Sequence, residues 1–158
     1  METFRQFYQV HKEKLFGYLV RKSGNGPLAA DLVQESFTRY MERYSHREKS
    51  VALLFTIGRN LLYDQMRRNR KDVELQEETL IGEGDEEEKY IQREESQKVL
   101  EAMQQLSEED RDILALVVSS ELSYQEIASI RGCTVAIIKV RVHRARQKLR
   151  QLLVRGKV

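Results

Sequence analysis

Lys139, Arg141, Arg144, Arg146, Lys148 and Arg150 crowd one segment near the carboxyl end, and Arg59, Arg67, Arg68, Arg70 and Lys71 crowd another before the middle. Guanidinium and ammonium groups at this density neutralise phosphates and release counterions, and an arginine that reaches a guanine edge reads it bidentately. That is the chemistry of recognition, not of bond making. No serine, cysteine or histidine is paired with a base in a pattern that marks a nucleophile, so an enzyme is not expected. His11, His46 and His143 lie too far apart for a finger-like metal site, and Cys133, the only cysteine, cannot form an internal disulfide. The acidic run Asp85 to Glu88 could in principle take a divalent cation, but without ligand spacing it reads as solvated linker. No metal and no cofactor is expected.

The overall charge of +2 conceals a separation that matters more. Residues 1–71 carry 14 Lys and Arg against 7 Asp and Glu, residues 72–112 carry 4 against 16, and residues 113–158 carry 9 against 2. Two basic blocks thus flank an acidic one, which makes nucleic acid the first partner to consider. A solvated helical surface would give the same count, so charge alone does not separate the two readings.

The elements that position these cations read as helices. One proline and 8 glycines in 158 residues, with no regular alternation of β-branched side chains, predict an all-α chain. Phe4, Phe7, Tyr8, Leu15, Tyr18 and Leu19 recur at helical spacing. Ser23 to Gly26 breaks that helix, and Pro27 suits the first turn of the next, where Leu28, Leu32, Val33, Phe37, Tyr40 and Tyr44 share a face. A third run turns Leu53, Leu54, Ile57 and Leu61 inward and gathers its cations at the far end, where they complement the helix dipole. These three helices form a first domain over residues 1–71. Residues 72–90 are acidic, hold Gly82 and Gly84 and lack apolar periodicity, so they read as a flexible linker. Residues 91–158 form a second domain, with capping boxes at Ser107 to Asp110 and Ser123 to Glu126. After the second box, Ala128, Gly132 and Ile138 supply the small contact, the turn and the apolar anchor of a helix-turn-helix. Its long last helix turns Ile138, Val142, Ala145 and Leu149 inward and its cations outward. No apolar run is long enough to span a membrane and the amino terminus lacks the apolar core of a signal peptide, so a soluble cytoplasmic protein is expected.

Four motifs in this order resemble the extracytoplasmic-function (ECF) class of bacterial RNA polymerase sigma factors, which keep the second and fourth sigma domains around a variable linker. They are Ala30-Asp31-Leu32-Val33-Gln34-Glu35-Ser36-Phe37; Leu54-Phe55-Thr56-Ile57-Gly58-Arg59-Asn60 with Asp64 and Arg67-Arg68; Ser123-Tyr124-Gln125-Glu126-Ile127-Ala128; and Arg141-Val142-His143-Arg144-Ala145-Arg146. Two departures stand out. Ile137, Ile138, Lys139 and Val140 replace the Thr, Val, Lys and Ser common in relatives, which leaves the exact -35 sequence open, and Leu53 replaces a frequent Trp.

The resemblance implies an alternative sigma factor that binds core polymerase and directs initiation by recognising -10 and -35 elements and assisting melting. It assigns Asp31, Leu32, Gln34, Glu35 and Phe37 to the clamp helices of the largest catalytic subunit. It assigns Asn60, Asp64, Arg67 and Arg68 to the -10 element, with Asn60 at a position linked to capture of a flipped base. Lys139, Val140, Arg141, His143, Arg144 and Arg146 fall to the -35 element. It further implies contact with the flap of the second polymerase subunit and an anti-sigma partner, which could be membrane-bound. Two other readings stay open: a free-standing DNA-binding regulator using the second domain alone, and a small hydrolase built on Asp85 to Glu88, which would need a pocket that a polar linker does not make.

Overall fold

A computed structural model describes residues 2–72 and 94–155, so the expected linker after its first residue, Asp72, which ends α3, and the Asp85 to Glu88 run lie outside the described residues. The described residues form helices α1 (Phe4–Ser23), α2 (Gly26–Tyr44), α3 (Val51–Asp72), α4 (Glu94–Gln104), α5 (Glu108–Ser119), α6 (Tyr124–Arg131) and α7 (Val135–Arg155), with no strand among them.

The helix ends follow local chemistry. Thr3 caps α1 reciprocally: its hydroxyl accepts from the Gln6 amide at 3.2 Å, and the Gln6 side chain accepts from the Thr3 amide at 2.8 Å. Asn25 caps α2, where Pro27 occupies the first turn. Ser50 caps α3 by accepting from the Leu53 amide at 3.1 Å, while its own amide donates to the Tyr40 hydroxyl at 2.8 Å. The start of α3 is thereby tied to α2. Of the two expected capping boxes, Ser123–Glu126 is complete, both amides being satisfied at 3.1 Å. Ser107 receives the Asp110 amide at 3.2 Å, but the shorter Asp110 carboxylate turns to Lys148 at 3.0 Å instead of completing the box.

Helices α1, α2 and α3 pack on one another around Leu15, Leu19, Phe37, Tyr40 and Leu54, all buried. Burying each such side chain contributes on the order of 2 kcal/mol, far more than helix propensity can. Phe37 is wedged between Phe4, at 6.2 Å between ring centroids, and Tyr8, at 4.8 Å, which fixes the roll of α2 and hence which of its residues face outward. The inward side of α3 is broader than the periodicity predicts. Phe55 and Leu62 are wholly buried while Leu53 and Ile57 are only partly so, because α3 meets α1, α2 and α6 together and Phe55 lies against Tyr18 at 5.6 Å.

The second group is built on α7, which packs on α4, α5 and α6 through buried Ile138, Val142 and Ala145. Between α6 and α7 the chain reverses at Gly132, whose φ of 67° lies in the left-handed region, and the Cys133 amide donates to the Ala128 carbonyl at 3.0 Å. A Cβ on Gly132 would meet nothing within 4 Å, so the backbone alone demands glycine there. Gly132→Ala should therefore lower stability by about 1 kcal/mol, and Gly132→Asn by less, since Asn visits this region more readily. Urea unfolding midpoints check this, and alanine as stable as glycine would refute it.

The two groups also pack on each other. Helix α1 lies against α4 and α5, α3 touches α6, and one hydrophobic cluster runs through both groups. Gly24, at φ 66°, lets Gln104 approach so closely that a Cβ would stand 2.9 Å from its Cδ, and the Gln104 amide donates to the Arg21 carbonyl at 2.9 Å.

Candidate nucleic-acid and polymerase interfaces

Helix α2 divides the residues expected to dock on polymerase. Asp31, Gln34 and Glu35 are exposed on one face, as their i, i+3 and i+4 spacing requires. Leu32 and Phe37 are not part of that face: they are buried at 7% and 3% exposure in the first group's core and can only support it. Glu35 is paired with Arg39 at 2.9 Å and Gln34 donates to the Tyr8 hydroxyl at 3.0 Å. Among the described residues, helix α2 packs on α1 and α3.

On α3, Asn60, Arg67 and Arg68 are exposed, while Asp64 is half-buried and paired with Arg67. Positions 60, 64 and 68 make one i, i+4 stripe and 59, 63 and 67 its neighbour. Arg59 does not join the free cations of the far end as its sequence position suggests. Its Nε donates to the Asp112 carboxylate at 3.0 Å.

Helix α7 exposes Lys139, Val140, His143, Arg144 and Arg146, with Thr134 capping its start by accepting from the Ile137 amide at 3.2 Å. Arg141 is half-buried and paired with Glu109 at 3.3 Å, and Lys148 is held by Asp110. Ile137 and Val140 are exposed apolar residues on the same outer side, one helical turn apart.

The sequence reading missed a charged cluster between the groups. Asp112, wholly buried on α5, accepts from the Tyr18 hydroxyl at 2.6 Å and Arg59 at 3.0 Å, is paired with Lys22 at 3.3 Å and also receives Arg131. One turn earlier Glu108 accepts from the Tyr63 hydroxyl at 2.6 Å and is paired with Lys22. Arg111 donates to the Met103 carbonyl at 3.1 Å and the Leu106 carbonyl at 3.1 Å, completing the end of α4, and to the Lys22 carbonyl at 3.2 Å across the interface.

The partners do not share the benefit equally. Burial alone would raise the Asp112 carboxyl, but Lys22, Arg59, the Tyr18 hydroxyl and Arg131 together hold it below its ordinary value. Lys22 has lost its solvent altogether, and burial pulls its ammonium below the usual lysine value despite Asp112 and Glu108. Burial, with Asp112 close by, drives the Tyr18 hydroxyl well up. The carboxylate is the group around which the cluster is built. A signal for it existed: Lys22 falls four residues after Tyr18 and Asp112 four before Leu116, so each charge interrupts an apolar stripe.

Three outward faces and one internal charged contact are thus in place, and relatives supply their context. The Sigma-70 region 2 family matches residues 7–72 and the Sigma-70, region 4 family residues 96–149. The ECF RNA polymerase sigma factor SigM of Bacillus subtilis is 31% identical over 160 residues, covering 98% of this chain and 97% of that protein. This chain belongs to the ECF RNA polymerase sigma factors. The ECF sigma factor EcfG of Rhodopseudomonas palustris is 34% identical over 142 residues, covering 88% of this sigma factor and 78% of EcfG. Among solved structures, the sigma factor RpoE of Bartonella quintana in complex with the anti-sigma factor NepR matches with a TM-score of 0.74 at 29% identity, over 95% of this chain and 96% of that one. As a member of the family, this sigma factor binds core RNA polymerase and directs promoter-specific transcription, and it is not an enzyme. No helix among the described residues is long and apolar enough to cross a membrane.

Proposed function

We propose that the three exposed faces divide the work of initiation. The outer face of α2, through Asp31, Gln34 and Glu35, docks on the clamp helices of the largest polymerase subunit, with Leu32 and Phe37 holding its shape from beneath. Helix α3 receives the melted -10 strand: Asn60 pairs with the edge of an extruded base, and Arg67 and Arg68 follow the phosphates, Arg67 exchanging Asp64 for DNA. Helix α7 enters the major groove of the -35 element. There Lys139, Arg141, His143, Arg144 and Arg146 offer donors, and Val140 has only carbon to offer, suited to a thymine methyl.

Residues 1–71 and 91–158 are then the polymerase and -10 module and the -35 module, joined through residues 72–90. The second module also meets the flap of the second polymerase subunit. The observation that carries this reading is that Lys139, His143, Arg144 and Arg146 on α7, Asn60, Arg67 and Arg68 on α3, and Asp31, Gln34 and Glu35 on α2 are all exposed, with buried apolar residues beneath α7, α2 and the part of α3 around Asn60. The complex of RpoE with NepR supports an anti-sigma partner for this chain, which could be membrane-bound, and a cytoplasmic location follows from working beside polymerase.

Run-off transcription with core polymerase on a random promoter library tests the whole. The expected result is transcripts from a narrow promoter set with two conserved blocks, the upstream block disappearing when Arg144 is changed to Ala. Transcripts that show no upstream block, or one indifferent to Arg144, would refute the α7 assignment.

A further inference from the structure

The outer face of α7 changes character along its length. Ile137, Val140 and Arg144, at i, i+3 and i+7, share one stripe, and Lys139, His143 and Arg146 lie on the next. All six are exposed, but the start of the first stripe carries only carbon, with Ile137 40% exposed and Val140 49%. Among the large apolar side chains exposed in the described residues, these are the two that lie one turn apart on a single helix. Much of their burial energy is unrealised, and the fold does not call for them there, since Ile138, Val142 and Ala145 fill the inner side of α7.

A protein partner would cover such a pair as well, but the surroundings favour a duplex. Helix α7 holds no acidic residue from Val135 to Arg155, and the pair is set beside Lys139 and Arg144. A major groove answers that pattern. Phosphates line its edges, and the C5 methyl of thymine is the apolar group on its floor. The spacing agrees: side chains one turn apart stand about 5–6 Å apart at Cβ, and base pairs follow one another at about 3.4 Å, so the two reach methyls one or two base pairs apart. Both side chains are β-branched and stiff at χ1, so little rotamer freedom is lost on contact. The Thr134 hydroxyl, accepting from the Ile137 amide at 3.2 Å, holds the first turn in place.

The geometry points to Ile137 and Val140 as a paired methyl reader. Together they select two A·T pairs, at neighbouring or next-neighbouring positions of the -35 element, through the thymine C5 methyls, and Arg144 supplies a charged contact beyond them. This rests on the assignment of α7 to the -35 element and adds the letters that the helix prefers and the group by which it knows them. Neither side chain has a donor or an acceptor, so a G·C pair in the same place would leave its polar groups without a partner.

The test uses holoenzyme assembled from the full chain and core polymerase, on promoters recovered from the random library. Their upstream block should contain two A·T pairs within two steps of each other. Replacing those thymines by deoxyuridine removes the methyls and leaves every base-pairing group in place. Promoter affinity, judged by the template concentration that gives half-maximal transcript, should fall about four-fold for one thymine and about fifteen-fold for both. Ile137→Ser with Val140→Ser, both at exposed positions, should make the thymine and deoxyuridine templates equivalent.

The deoxyuridine arm leaves the protein native, so it stands even if the double variant does not fold. An Arg144-dependent upstream block that lacks the A·T pairs, or that works equally well with deoxyuridine, would overturn this inference alone. An upstream block that is absent or indifferent to Arg144 removes the α7 assignment itself. A thymine preference that survives in the folded double variant would give the methyls to other residues and leave Ile137 and Val140 to a protein partner, which also overturns the proposal.

Discussion

Replacing Asp31 and Glu35 by arginine should lower affinity for core polymerase at least about a hundred-fold, some 3 kcal/mol, while leaving the chain folded. Both side chains are exposed on α2, and the ion pair lost among the described residues, Glu35 with Arg39, is a solvent-exposed i, i+4 pair worth only a few tenths of a kcal/mol. The packing that sets the roll of α2 lies on its opposite side, where Phe37 meets Phe4 and Tyr8. Surface binding of immobilised core polymerase, with circular dichroism as the folding control, reads the outcome. A folded double variant that keeps its affinity would move the docking surface elsewhere. Leu32→Ala makes the contrast: it should cost about 2–5 kcal/mol of stability by opening the core, and affect polymerase binding only as far as it unfolds the chain.

Arg144→Ala with Lys139→Ala should weaken binding to a -35 duplex by about 2–5 kcal/mol and reduce the slope of log affinity against log salt by up to about 0.9 for each cation that meets a phosphate. Both residues are exposed on α7, and the backbone beneath them is held by buried Ile138, Val142 and Ala145. The drop is thus one of contacts and not of fold. Lys148→Ala is the internal comparison, because Lys148 is already engaged by Asp110 at 3.0 Å and should change affinity much less. Fluorescence anisotropy across a salt series distinguishes them. Equal losses for all three cations would mean that α7 acts as an undirected positive surface and not as a reading helix.

Much of this was legible without coordinates because it is local. A capping serine three residues before a glutamate, a glycine needing φ of 67° and a stripe of Ile138, Val142, Ala145 and Leu149 are relations within one helix or one turn, and the Ser123 cap, the Gly132 turn and the inward side of α7 follow them. The Ser107 box failed in one half because a distant cation, Lys148, competed for a carboxylate too short for the local bond. Leu32 and Phe37 were grouped with the docking residues because a motif is contiguous in sequence, whereas a helix distributes contiguous residues around its whole circumference.

By itself the sequence determined an all-helical chain, its breaks, the two matched regions and the outward cations of α7 other than Arg141, since each depends on periodicity, backbone preference or motif order within a short stretch. Only the tertiary structure decided that Lys22, Arg59 and Asp112 meet, 53 residues separating the last two. Periodicity could mark Lys22 and Asp112 as charges on apolar stripes, but not name their partners. A buried charge is tolerable only where opposite charges and donors surround it, and which helices bring those groups together depends on how α1, α3 and α5 pack across the chain.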